Sequence, residues 1–428
     1  MNNNEVLHNL NTLSLEEIER RLSSTDGDNL NLEQLMGFEK VSKLRDVAVH
    51  KRAELVAPGG DLVVLLPGIM GSLLLSGRGV TDFLWINPLL FLEGHANYLQ
   101  VGNANIEAYP FSLEKLTYLH MALSLRNQYK LFEFPYDWRM PIESNAEILR
   151  ACLMRWAADN PGRKFQLVGH SMGGLVIRTY LTRYPQEAET LIRRVIYLGS
   201  PLLGSTNAVQ NLAVGNSMVN TVDSLNPANH MLDAVLSMPG VFELLPVPKD
   251  LFPSGRTYPV DWDLYDSSAW GVGNLPQNLL AIALQFQRSL AGKTLPVEQV
   301  MIAGCNIPTF TVVNRTTGPD GKPAFDFPKA LSGLDSGDGT VPLWSSTSDP
   351  ALKVYYTQCV HRDLPNHDDV IAATLRLLLA GDCDLPTKIP APQPTTLIGE
   401  VVEDINELKN KILGGTADQS DLGKLSLL

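Results

Sequence analysis

No two of the four cysteines in this 428-residue chain (Cys152, Cys305, Cys359, Cys383) stand at C-x-x-C spacing, which argues against a zinc site and against a dense disulfide framework. Free thiols are the expectation. Basic residues are also short: 34 Lys and Arg against 46 Asp and Glu leave a net charge of −12, so no long-range field draws the chain to nucleic acid or to an anionic bilayer. Long apolar runs are missing as well. DLVVLLPGIM and WINPLLFL are broken by Pro, Gly or Asn, well short of the roughly 18 residues a membrane-spanning helix needs. The amino terminus, MNNNEVLHNLNTLSLEEIERRL, has neither a basic n-region nor an apolar h-region and reads as a polar helix capped at Ser14, with Glu17 three positions on. A soluble, cytoplasmic protein is expected, with the sequon at Asn314 no more than a polar turn.

What is present is ordinary globular material, 44% hydrophobic and 19% charged, enough to bury a full core. At about 100–200 residues per domain, the length fits two or three domains, or one large α/β domain with insertions. DLVVLL (Asp61–Leu66), KLFEF (Lys130–Phe134), FQLV (from Phe165), VIYL (Val195–Leu198), VMIAG (Val300–Gly304) and LKVYYTQ (Leu352–Gln358) read as short strands. Helical patterns over Ile142–Ala158, Met172–Tyr184 and Asp368–Leu379 alternate with them. Such alternation predicts a mostly parallel central sheet with helices on both faces.

Residues 1–60 form a helical extension in this reading and 61–383 the main domain. The main domain is interrupted by an irregular, aromatic-bearing lid insertion at about 72–128 and a cap insertion at about 205–297. Residues 384–428 supply a Pro-rich linker and an amphipathic helix with Leu397, Val401, Ile405, Leu408 and Ile412 on one face. That helix is expected to pack back on the body or against a partner chain.

Within FQLVGHSMGGLVIRTYL, Gly169-His170-Ser171-Met172-Gly173 matches G-x-S-x-G. The match follows a predicted strand and opens a predicted helix, the setting of a nucleophile elbow, where small flanking residues let strand and helix approach around a strained serine. A nucleophilic serine needs a base and an orienting acid, in the order Ser, acid, His, on loops after later strands. Of eight histidines, His361 lies between the last strand and the closing helix, with His367 the rival. The acid is Asp338 in DSGDGTVPLWS, with Asp335 as fallback; the alternative of a calcium loop lacks further ligands at regular spacing. No metal and no cofactor is expected. The oxyanion of an acyl-transfer transition state needs two backbone N–H donors. Met172, after the serine, supplies one, and Ile69 in the turn LLPGIMGS the other.

LLPGIMGSLL, FPYDWR (Phe134–Arg139), GHSMGG, YLGSPLLGS (Tyr197–Ser205), AGCNIPT (Ala303–Thr309) and GDGTVP (Gly337–Pro342) follow one another over about 60–380. Together they resemble the lecithin:cholesterol acyltransferase family, which also includes lysosomal phospholipase A2 and phospholipid:diacylglycerol acyltransferases. The resemblance implies an α/β-hydrolase fold in which Ser171 takes an acyl group from a lipid ester, with Asp338 and His361 completing the triad. It further implies a lid at TDFLWINPLLFLEG that makes transient contact with a membrane surface. Trp85 would then meet acyl chains, and Met70 and His170 would complete the substrate contacts. Two features depart from the family's secreted members: residues 72–128 hold no cysteine for a lid disulfide, and no signal peptide is visible. The leading expectation is a serine acylhydrolase of lipase or phospholipase type, because water is always present to accept the acyl group. Transfer to an alcohol, a general carboxylesterase, and a non-catalytic binding protein on the same fold are the alternatives.

Overall fold

The computed structural model describes residues 1–24, 30–49, 61–78, 82–319, 321–394 and 405–425. At its centre lie six strands: β1 (Leu62–Leu66), β2 (Lys130–Glu133), β3 (Phe165–His170), β4 (Ile192–Leu198), β5 (Glu298–Gly304) and β6 (Lys353–Thr357). They form one sheet in the order β6-β5-β4-β3-β1-β2, every pair parallel. β1 is buried at every position, so its sequence LVVLL is an unbroken apolar run rather than an alternation. Each Val or Leu so placed contributes about 1.5–3 kcal/mol relative to an exposed position.

Four helices matter for the site: α1 (Lys115–Arg126), α2 (Ile142–Ala158), α3 (Met172–Arg183) and α4 (Asp368–Ala380). α2 buries Ile142, Asn145, Ala146, Leu149 and Leu153, a stripe at three- and four-residue spacing. It stops ahead of Pro161, which cannot continue a helix. α4 opens on Asp368 and Asp369, whose charges suit a helix N-terminus, and closes at Gly381 in the left-handed region, φ 80°.

Residues 72–128, expected to be irregular, contain the antiparallel strands Ser72–Arg78, Phe83–Trp85 and Glu107–Leu113. The short helix Pro88–Leu92 and α1 lie in the same segment, and α1 is buried along almost its whole length. A buried amide helps to join residues 72–128 to residues 205–297. Asn229 Nδ2 donates to Phe91 O (2.8 Å) and Val222 O (2.6 Å), and its Oδ1 accepts the Ala96 N–H (3.0 Å).

At the far end of the chain, helix Ile405–Gly414 buries Leu408 and Ile412. Asn3 N–H donates to Gly415 O (2.8 Å) and Asn4 Nδ2 to Ile412 O (2.7 Å), so this part of the segment packs on the body. Leu397 and Val401 lie outside the described residues. Among the described residues no helix is long and apolar enough to cross a membrane.

Glu243 fastens the segment 205–297 to α2. Its carboxylate accepts the Ile142 N–H at 2.5 Å, while its backbone carbonyl accepts Gln287 Nε2 at 2.8 Å. Burial raises this carboxyl from 4.5 to about 8. Between those values the folded chain holds a proton that the unfolded chain has released, so this group's contribution to stability falls as pH rises through the window. Glu243→Gln keeps the acceptor and removes the titration. Relative to the native chain it should gain on the order of 1 kcal/mol per pH unit between pH 5 and 8, read from urea midpoints; parallel curves for the two chains would refute this.

The strand order reverses between β1 and β3, and a crevice opens outside the carboxyl ends of the strands at such a switch point. β3 leads there into Ser171 and then α3. A serine on a strand-to-helix turn at the switch point of a parallel sheet is the α/β-hydrolase arrangement, and this chain has that fold.

Candidate active site

Ser171 has φ 51° and ψ −124°, a left-handed conformation that costs a non-glycine residue on the order of 1–3 kcal/mol. Two bonds hold it: its N–H donates to Leu198 O at the end of β4 (2.9 Å), and its carbonyl accepts the Gly174 N–H (3.0 Å). The glycines beside it are there for close approach. A Cβ on Gly173 would overlap Pro67 O, and one on Gly174 would overlap the Ser200 side chain. The turn therefore fits between β1 and the loop after β4 only without those side chains.

The candidate acid and base lie on two later loops. Asp338 follows β5 on the Gly-Asp-Gly turn, and His361 opens the 3-10 turn His361–Asn366 after β6. His361 Nδ1 lies 2.7 Å from Asp338 Oδ2, with Asp338 1% and His361 6% exposed. Asp338 Oδ1 accepts the backbone N–H groups of Thr340 (3.0 Å) and Val341 (2.7 Å), and its carbonyl accepts the His361 N–H (2.8 Å). The carboxylate is thus pinned on both oxygens. Gly199, φ 56°, leaves room for the pair, since a Cβ there would sit 2.9 Å from Asp338 Oδ2 and 3.1 Å from His361 Nδ1.

The rival residues fall elsewhere. Asp335 is a surface residue facing Arg256 at 4.0 Å, and His367 occupies the N-cap position of α4. Among the described residues no group hydrogen-bonds Ser171 Oγ, so the structure joins Asp338 to His361 and leaves the serine–histidine bond unmade. Such bonds are often long without substrate and tighten when it binds.

The loop Pro67-Gly68-Ile69-Met70-Gly71 lies against the serine: a Cβ on Gly68 would be 2.8 Å from Ser171 Cβ. Its polar groups are tied down from outside. Tyr136 Oη donates to Pro67 O (2.8 Å), Trp85 Nε1 to Met70 O (2.7 Å), and Trp138 Nε1 to Ser72 O just beyond (3.1 Å). The PYDWR motif is therefore a brace for this loop. It also reaches the segment 72–128, where the Arg139 guanidinium donates to Leu99 O (3.1 Å) while paired with Asp137 (2.7 Å). Among the described residues the N–H groups of Ile69 and Met172 have no acceptor within the chain. Met172 is the first residue of α3, whose N-terminus carries partial positive charge.

The three residues expected to touch substrate are all buried. Trp85 is fully buried, packs edge-on against Trp138, and gives its indole N–H to Met70 O. His170 engages both ring nitrogens, Nδ1 with Tyr118 Oη (2.7 Å) and Nε2 with His361 O (3.0 Å), leaving neither for substrate. Met70 is buried on the loop itself, at φ 58°. Tyr118, which the sequence reading passed over, contacts Gly68 and His170; it belongs to no motif and carried no signal of its own.

Residues 100–267 match the family model described as Lecithin:cholesterol acyltransferase. Over that stretch the chain is similar to this family. The match takes in PYDWR and GHSMGG and ends before Asp338 and His361, so the candidacy of those two residues rests on their geometry. No curated protein matches the chain.

Among solved structures, the Tle4–Tli4 complex covers 76% of this chain and 100% of its own at 14% identity and a TM-score of 0.47. Mature lipase BlEst2 of Bacillus licheniformis covers 76% and 94% at 16% identity and 0.40. Phospholipase PlaB of Legionella pneumophila covers 64% and 54% at 13% identity and 0.31. At these values the likenesses add nothing to what the sheet order and the serine turn establish.

Proposed function

We propose that the chain is a serine-dependent acylhydrolase that cleaves lipid esters through an acyl-enzyme. The observation that carries this is the buried 2.7 Å contact between His361 Nδ1 and Asp338 Oδ2, in a fold whose nucleophile turn holds a serine at φ 51°. With Nδ1–H given to the carboxylate, His361 Nε2 is the nitrogen left to take the Ser171 proton. Ser171 Oγ then attacks the ester carbonyl, whose oxygen becomes negative and accepts from the N–H groups of Ile69 and Met172. The C–O bond to the leaving alcohol breaks, and His361 returns the proton to that alcohol. Water, deprotonated by His361 in turn, releases the carboxylic acid and restores the serine.

The lipid class is inferred from the family model, whose description names a phospholipid as acyl donor and an alcohol as acceptor. That description also favours a second reading, transfer of the acyl group to an alcohol. Turnover of a short monomeric ester at the same rate as a vesicle substrate would instead indicate a general carboxylesterase. A binding protein on this fold would have no need for serine, acid and base together.

Incubating the protein with phosphatidylcholine vesicles containing a long-chain alcohol separates these readings. Hydrolysis yields lysophospholipid and free fatty acid in equal amounts; transfer diverts the fatty acid into the ester of the alcohol. No lysophospholipid from vesicles, with turnover of short esters retained, would sink the lipid reading.

A further inference from the structure

The oxyanion loop and the base sit after β1 and β6, strands separated by three others in the sheet. One continuous set of hydrogen bonds spans that gap. Gly68 N–H donates to Tyr118 Oη (2.8 Å), Tyr118 Oη meets His170 Nδ1 (2.7 Å), and His170 Nε2 meets His361 O (3.0 Å). The His361 N–H then donates to Asp338 O (2.8 Å). Both ends are backbone groups with fixed roles, so every proton in between is assigned. A carbonyl only accepts, so His170 carries its proton on Nε2; its Nδ1 must then accept, and Tyr118 gives its hydroxyl proton there while taking one from Gly68. Each donor meets one acceptor and the order cannot be reversed. Burial, with His361 adjacent, keeps His170 well below the usual imidazole range, and burial raises the Tyr118 hydroxyl, so both stay neutral.

We propose that Tyr118 and His170 are positioning residues that fix the spacing between the oxyanion loop and the base-bearing turn, acting through Gly68 on one side and the His361 backbone on the other. The proposal rests on the reading of Ser171, Asp338 and His361 as nucleophile, acid and base. Both side chains stand off the reacting atoms, since all their polar atoms are engaged within the network. What they control is geometry, and misplacement of a catalytic group by about 1 Å can cost on the order of 100-fold in rate.

Tyr118→Phe removes one oxygen and keeps the ring. The expected result is kcat lower by about 10- to 100-fold, with KM within about twofold of native and phosphonate labelling of Ser171 slowed in the same proportion. A purely structural role would move the melting temperature and leave the kcat of the folded protein alone. His170→Gln and His170→Ala give the same reading without touching the α1 core. Gln can still offer an N–H to His361 O and should retain more kcat than Ala. Because the bonds form one chain, combining Tyr118→Phe with His170→Ala should cost no more than the worse single change.

Native kcat and labelling in Tyr118→Phe would overturn the proposal, as would losses that multiply in the double variant. If Ser171 of the native chain takes no label, the active-site reading fails and this one with it. Normal native labelling with an unchanged Tyr118→Phe overturns this one alone.

Discussion

Ser171→Ala should lower ester turnover by roughly 10⁵- to 10⁶-fold in kcat while the chain folds as before. The size of the effect follows from the way the serine is held. Its backbone is fixed by bonds to Leu198 O and the Gly174 N–H, neither of which involves the side chain, and the glycines around it let strand, helix and oxyanion loop close in whatever the residue at 171. Ala meets the same φ of 51° with the same Cβ. Among the described residues Oγ has no hydrogen-bond partner to lose, so the unfolding free energy should change by less than about 1 kcal/mol. Loss of activity without loss of fold would separate nucleophile from scaffold; equal loss of both would assign the serine to the scaffold.

The second large effect is expected at the acid. Asp338→Asn should reduce kcat by about 10⁴-fold, with little change in KM. The reason lies in the two backbone donors that hold Oδ1, from Thr340 and Val341. They fix the orientation of an amide at this position: its oxygen must face them, so its NH2 must face His361 Nδ1. His361 is then driven to the tautomer with its proton on Nε2, where the serine proton has to go. Base and geometry are both present, with the proton on the wrong nitrogen. A steady-state comparison checks this, and a fall of only a fewfold would mean that His361 finds its tautomer without Asp338.

Much of the framework was legible because buried parallel strands announce themselves. β1, β3 and β5 are compact apolar runs bounded by turns, and the structure places them where the sequence does, give or take a residue or two. The juxtaposition of His361 and Asp338 was legible for a similar reason, since the order of strands fixes which loops share the crevice. The segment 72–128 was not. Its strands pair with register shifts at Leu74, Leu75 and Ser76, which blur the two-residue alternation that marks a half-buried strand. The burial of Trp85 and its bond to Met70 O were not legible, because an aromatic bound for the core and one bound for the surface have the same composition. Tyr118 was invisible because its partners lie 50 and 52 residues away, and a tyrosine hydroxyl in a helix points to neither of them.

Labelling with a serine-reactive phosphonate, followed by mass spectrometry of the peptides and run beside turnover of Ser171→Ala, tests the mechanism most directly. A single adduct on Ser171 that abolishes ester turnover is the predicted result. No adduct on Ser171, with turnover unchanged in Ser171→Ala, would contradict it.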